Sequence, residues 1–317
     1  MEELSISIII PTYNRPDFLP NTIKSLLEQD YENYEIIIVD NACLDETRKV
    51  VESFKNNKVP IIYINEPNIG LHNARHTGAK IAKGEIILYI DDDIIADKNL
   101  LKEIAKFYLD QNVGCVGGRI LPKWEVEPPE WIYLFPKWYL SILDDEEGPK
   151  EVKWIYGCNF SIRKSLLFDL GGFNPDAFGD KKKWWMRGDG EIGLLIKVHR
   201  AGKKVIYNPN AVAWHFIPKE RLTVEYFKER AFKSGVEASF SKYRYSYNSF
   251  SYLKIIPRIS IFGLFNIFLT ILSIIPLKSR IKYKVLSSYY KARCLYEFKL
   301  AISKDLQKFV KKESWLV

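Results

Sequence analysis

The chain has 317 residues, 47% of them hydrophobic and 27% charged, which is a globular profile with room for one large α/β domain and an appendage. Its four cysteines are far apart and form no C-x-x-C pair, which excludes a disulfide framework and a zinc site and fits reduced thiols in a cytosolic protein. The net charge of +8 is uneven: residues 218–317 carry 20 Lys/Arg against 7 Asp/Glu, so the remainder is net acidic, and the basic tail predicts an anionic partner surface, either membrane or nucleic acid.

The N-terminus is acidic, and its first apolar run, Ile6 to Ile10, is too short for a secretory signal. Four β-branched, continuous runs at 5–11, 35–40, 60–65 and 85–91 predict strands buried on both faces of a mainly parallel sheet. Helical patterns alternate with them. Leu19, Ile23, Leu26 and Leu27 share one face, and Leu71, Ala74, Gly78, Ile81 and Ala82 form a small-residue face suited to close helix–sheet packing. This order predicts a doubly wound α/β fold, with ligands at the carboxyl ends of the strands.

Residues 122–152 hold five prolines and Trp124, Trp131 and Trp138, and read as a long functional loop. Strand character resumes over 154–163, a helix follows around Ile192–Ile196, and 204–207 and 211–216 read as a strand pair. A helix is expected over 218–239. Ile259 to Leu277 is then uncharged for 19 residues between basic flanks, a length compatible with an interfacial or re-entrant membrane segment, a span or a buried hairpin. The expected division is a domain over 1–240 (halves at 1–120 and 121–240) and a helical, membrane-associated region over 241–317.

The strongest local signal is Asp91, Asp92 and Asp93 at the end of the fourth strand. Three adjacent carboxylates repel one another, and a hard divalent cation shared with substrate phosphates relieves that cost. A helix N-cap would need only one of them. Pro11, Thr12, Tyr13, Asn14 and Arg15 follow the first strand, where Tyr13 is placed to stack on a base. Asp40 ends the second strand, as a base or ribose acceptor or as a plain strand terminator. His215 sits between Trp214 and Phe216, a pattern shared by core histidines and metal ligands. Trp184 and Trp185 suit either a sugar-stacking platform or loop anchoring.

Taken in order, Pro11–Arg15, Val39–Asn41, Asn68–Arg75, Asp91–Asp93, Gly157–Asn159, Gly188–Glu191 and His215 with Pro218–Thr223 resemble the motifs of family-2 glycosyltransferases with the GT-A fold, over about residues 4–240. The resemblance implies an inverting glycosyltransferase that moves a sugar from a nucleoside diphosphate sugar, UDP favoured, to an acceptor hydroxyl in polysaccharide, glycolipid or cell-envelope synthesis. It places Thr12, Tyr13 and Asp40 at the nucleoside, Arg75 near base or diphosphate, and Asp91 and Asp92 near the ribose. Pro11, Arg15, Asn68, Gly157 and Asn159 belong to the same donor-binding motifs. Asp93 becomes the principal ligand of a divalent metal, Mn2+ or Mg2+, with His215 completing that site. Asp189 matches the general base. Relatives carry Glu-Asp before this helix where this chain has Gly188, so Glu191 is the alternative base or a plain first-turn helix residue, with Asp189 favoured.

The expected partners are a glycan or lipid-linked acceptor and a membrane surface reached through 250–290, on the inner face of the cell membrane, with no nucleic acid. A nucleotidyltransferase would instead carry a Gly-rich, basic phosphate loop after the first strand. A non-enzymatic nucleic-acid binder would need a recognisable module in the tail, and none is visible.

Overall fold

The computed structural model describes residues 3–41, 45–55, 58–176, 183–245, 252–275 and 279–316. Cys43, part of the 176–188 segment and residues 276–278, which hold the end of the apolar run and the lysine after it, lie outside them; the other three cysteines are free. Strands β1 (Ile6–Thr12), β2 (Tyr34–Asp40), β3 (Ile61–Asn65) and β4 (Ile86–Ile90) run parallel in the order β3-β2-β1-β4. Every residue of β1, β2 and β4 is buried, as continuous β-branched runs require when helices cover both faces. Helices α1 (Leu19–Leu27), α2 (Asp45–Glu52) and α3 (Leu71–Ile81) connect them. The small-residue face of α3 packs as expected: a Cβ on Gly78 would lie 2.5 Å from Ile9 Cγ2 and 3.1 Å from Val39 Cγ2.

Beyond β4 come β5 (Ile94–Ala96), α4 (Leu100–Ala105), β6 (Val113–Trp124), β7 (Lys150–Glu151), β8 (Asn159–Arg163), α5 (Lys164–Asp169), α6 (Gly190–Arg200) and β9 (Lys204–Ile217). They extend the sheet as β4-β8-β6-β9-β5, with β7 also on β9. β8 is antiparallel to both β4 and β6, and β5 to β9, so parallel pairing dominates only the first half.

Two expectations change here. The strand pair around 204–216 is one 14-residue strand, whose turn-like Asn208-Pro209-Asn210 is absorbed by a register shift against β6 between Gly118 and Ile120. The 122–152 loop is partly regular, with β6 running on to Trp124 and 3-10 turns at Glu130–Leu134 and Lys137–Leu140. Tyr139 and Trp131 of this stretch pack inward: Tyr139 stacks on Phe227, and Trp131 meets the same ring edge-on.

A 3-10 turn at Lys219–Leu222 leads into α7 (Val224–Tyr245), which ends beyond the expected boundary. α8 (Tyr252–Ile274), α9 (Arg280–Ile302) and α10 (Lys304–Lys311) follow, with α9 between α7 and α8. On α8, Ile255, Phe262 and Leu269 are buried at seven-residue spacing, a single seam. The rest of its apolar surface, including Ile261, Leu264, Phe265, Phe268 and Ile271, is exposed.

Candidate active site

The carboxyl ends of β1 and β4 meet at the acidic run. Thr12 Oγ1 donates to Asp92 Oδ2 at 2.8 Å, and Thr22 Oγ1 to the Asp92 carbonyl at 2.7 Å. Asn14 takes a left-handed φ of 53°, turning the chain so that Arg15 points back at the acids. The guanidinium of Arg15 pairs with Asp92 and, at 3.1 Å, with Asp93.

The pairing of β5 with β9 sets Ile94 opposite His215, and Phe216 N donates to the Asp93 carbonyl at 2.8 Å. That register brings His215 Nε2 within 3.6 Å of Asp93 Oδ1. His215 Nδ1 lies 3.0 Å from the Leu140 carbonyl, and Arg221 Nη1 approaches Nε2 at 2.6 Å. With its proton on Nδ1 the ring accepts from Arg221 at Nε2, and protonated on both nitrogens it donates from Nε2 to Asp93. Arg221 Nη2 also reaches Asp93 Oδ2 at 2.8 Å. Burial opposes charge at Asp93, but His215, Arg221 and Arg15 outweigh it and hold the carboxyl below its ordinary range. Burial raises Asp92 to about 6 against the pull of Arg15, and raises Asp91 despite Arg75.

Asp93 and His215 supply a carboxylate oxygen and an imidazole nitrogen that suit a borderline divalent ion such as Mn2+. Among the described residues no group of three His, Cys, Asp or Glu side chains converges on one point. An ion held here would therefore draw its remaining ligands from water and a diphosphate, as hard divalent ions commonly do.

A cleft of about 910 Å³ opens on this array. Pro11, Thr12, Tyr13, Arg15, Asn41, Asp91 and Asp92 line one end of it. Tyr13 is 52% exposed at the edge, free to cover a flat ligand. Asp40 and Asn68 are set back from the cleft. Asp40 is fully buried and accepts from Tyr63 Oη at 2.9 Å. The Asn68 carbonyl accepts from Asn41 Nδ2 at 2.9 Å, while Asn41 Oδ1 accepts from Gly70 N at 2.7 Å. Asn41 thus occupies the lining where Asp40 was expected.

Arg75 on α3 is buried over the rings of Phe173 and Tyr89, with its guanidinium 3.8 Å from Asp91 and 3.4 Å from Glu191. Burial works against its charge, yet Glu191, Asp91 and Asp176 raise its pKa overall. Gly157 fits because a Cβ there would lie 2.4 Å from Arg75 Nη2. Asn159 is wholly buried, and its Nδ2 donates to the Ala211 carbonyl at 3.0 Å, a strand-to-strand tie away from the cleft.

The two acids at the start of α6 face different ways. Asp189 is buried and accepts from Asn174 Nδ2 and Ser241 Oγ, both at 2.6 Å; burial raises its pKa. Glu191, two residues on, is 28% exposed and joins the Arg75–Asp91 group. Gly190 between them has a φ of 48°, and a Cβ there would press on Asp176. Of the tryptophans, Trp184 lines the cleft, edge-to-face with Phe232 at 5.2 Å between ring centroids. Trp185 turns away beneath the Lys299 ammonium.

The sequence pattern described as glycosyl transferase family 2 matches residues 7–171, more than half of the chain. The chain belongs to that family. The glycosyltransferase is 28% identical over 243 residues to glucosyl-dolichyl phosphate glucuronosyltransferase of Haloferax volcanii, covering 73% of this chain and 75% of the relative. It is 25% identical over 217 residues to poly-beta-1,6-N-acetyl-D-glucosamine synthase of Staphylococcus aureus, covering 68% of this chain and 50% of that protein. Its fold matches that of the mannosyltransferase PcManGT from Pyrobaculum calidifontis, solved with GDP-Man and Mn2+, with a TM-score of 0.62 at 18% identity over 94% of this chain and 88% of that one.

Two residues of the glycosyltransferase's site went unread in the sequence. Arg221 lies inside the quoted 218–223 motif, where only its place six residues after His215 marks it. Asp176, 3.8 Å from Arg75 and holding the His72 backbone N–H at 3.3 Å, carries no local signal.

Proposed function

We propose that this enzyme transfers a sugar, with inversion, from a nucleoside diphosphate sugar to an acceptor hydroxyl, using a divalent cation at Asp93 and His215 and Glu191 as the general base. The observation that carries the reading is one contiguous charged array: Thr12, Arg15, Asp91 and Asp92 line the cleft, and Asp93 with His215 and Arg75 with Glu191 stand behind them in contact with it. When bound, the cation neutralises charge growing on the leaving diphosphate. Arg15 and Arg221 add fixed positive charge beside it, Tyr13 offers a ring to the nucleoside, and Asn41 offers the second lone pair of its amide oxygen. Structural neighbours are solved with GDP-Man and Mn2+ and with UDP, GalNAc and Mn2+, which supports the donor class; the resemblance of the motifs favours UDP.

Glu191 is preferred to Asp189 on geometry. A base must reach the proton it takes, and the Asp189 carboxylate is turned into the protein and held by Asn174 and Ser241. The exposed apolar surface of α8 and the net positive C-terminal third support a membrane-surface location on the cytoplasmic side, where anionic headgroups would attract the basic residues. The relatives' names support a glycan or lipid-linked acceptor.

The test is a panel of UDP- and GDP-sugars titrated with Mn2+, with Mg2+ and with chelator. Asp93→Ala should lose metal-dependent donor binding. Glu191→Gln should keep donor binding and lose about 10²–10⁴-fold in kcat, the usual worth of a general base. Full turnover by Glu191→Gln alongside an inactive, folded Asp189→Asn would return the base role to Asp189.

A further inference from the structure

The cleft continues past the acidic array to a second wall of different chemistry. α7 presents Lys228, Phe232 and Val236 at i, i+4 and i+8, one helical face, and α9 adds Ser288 and Lys291 at i and i+3. Trp184 closes the floor against Phe232. The acid on this wall, Glu229, is already paired with Lys233 at 2.6 Å, and the guanidinium of Arg187 is held by Glu237 at 2.6 Å. Among the described residues, Lys183, Lys228 and Lys291 form no ion pair.

Ammonium groups around an apolar floor repel one another, and a neutral sugar, though it can accept their hydrogen bonds, carries no charge to offset that repulsion. An anion removes the repulsion, and an apolar floor favours a hydrocarbon beside it. The geometry also leads outward. α9 carries Lys291 on the cleft and, next to it in sequence, Tyr290 stacked on Phe265 of α8 at 5.1 Å. The lysine-rimmed wall is thus one helix away from the exposed apolar face of α8.

We propose that Lys228 and Lys291 form a subsite for the phosphate of a lipid-phosphate-linked sugar, whose sugar carries the acceptor hydroxyl and whose hydrocarbon lies over Phe232 and Trp184 and leads towards α8. Calling this ligand the acceptor rests on the glycosyl-transfer reading; the subsite itself is tested by binding alone. Farnesyl phosphate, farnesol and inorganic phosphate are titrated into the full-length protein in detergent, with tryptophan fluorescence and calorimetry as readouts. Farnesyl phosphate should bind about tenfold or more tighter than either fragment, since charge-assisted and apolar contacts act together. The double variant Lys228→Gln/Lys291→Gln should weaken farnesyl phosphate about tenfold and leave farnesol unchanged, and Lys228→Arg/Lys291→Arg should retain binding.

Equal binding of farnesol, equal binding of inorganic phosphate, or an unchanged affinity in the glutamine double variant overturns the subsite. Titration of the same samples with UDP, GDP and Mn2+ separates the two ideas. Donor binding without farnesyl phosphate binding removes only the subsite, whereas loss of donor binding in the wild type removes the glycosyl-transfer reading whatever the lipid does.

Discussion

Arg221 bridges Asp93 and His215, the two groups best suited to a divalent ion, and a guanidinium and a dication cannot share them at full strength. Arg221→Met should therefore bind Mn2+ more tightly than wild type when no nucleotide is present, which electron paramagnetic resonance titration reads directly; an unchanged affinity would show that the arginine is a bystander. Asp189 teaches the opposite lesson. Its two hydrogen bonds lie in the protein interior, so Asp189→Asn should cost about 1–3 kcal/mol of stability by chemical denaturation, the range for disturbing a buried polar network. Sequence alone could not separate Asp189 from Glu191, because both flank one helix start and only Asn174 and Ser241, 15 and 52 residues away, decide which way the first one turns.

His76 adds a pH dependence. Burial, and then His72, lower its pKa from 6.5 to about 3, and its Nε2 accepts from Phe173 N at 2.9 Å. A depressed histidine pKa means that the unfolded chain binds the proton first. Between pH 6.5 and about 3 stability should fall as pH falls, and His76→Gln should flatten that part of the curve.

At the level of elements, β1, β2 and β4 were legible because burial on both faces demands unbroken β-branched runs; β3 carries such a run too, but at the sheet edge it is only part-buried, against the expectation. β6 was hidden by Gly114, Gly117, Gly118 and Pro122, residues that read as turns yet are needed for close packing: a Cβ on Gly118 would lie 1.8 Å from the Ala211 carbonyl oxygen. β9 was split in the reading by Asn208-Pro209-Asn210, which looks like a hairpin turn and is a bulge instead. Gly78→Ala on α3 should destabilise by about 1–3 kcal/mol, because the added methyl presses on Ile9 and Val39 in a close-packed layer; equilibrium unfolding measures it. For α8, Leu264→Glu with Phe268→Glu should abolish co-sedimentation with anionic vesicles while Mn2+-dependent nucleotide binding stays as it was, since neither side chain is buried in the fold.

Across the whole molecule, distant parts of the chain are tied together behind the cleft. Trp315 N and Leu316 N donate to the Gly171 carbonyl at 3.0 and 3.3 Å, and the Trp315 ring meets His72, three residues before Arg75. The helical C-terminal third thus braces the segment that carries Asn174 and Asp176, a contact that no local pattern announces.

The shared use of α9 has a further consequence. One of its faces walls the cleft while another backs α8, with no flexible tether between. If α8 rests on a bilayer, helix packing sets how far above the lipid the sugar is delivered. Such an enzyme works as a ruler: an acceptor whose hydroxyl projects one sugar too high or too low misses Glu191, so chain length itself becomes a criterion of choice.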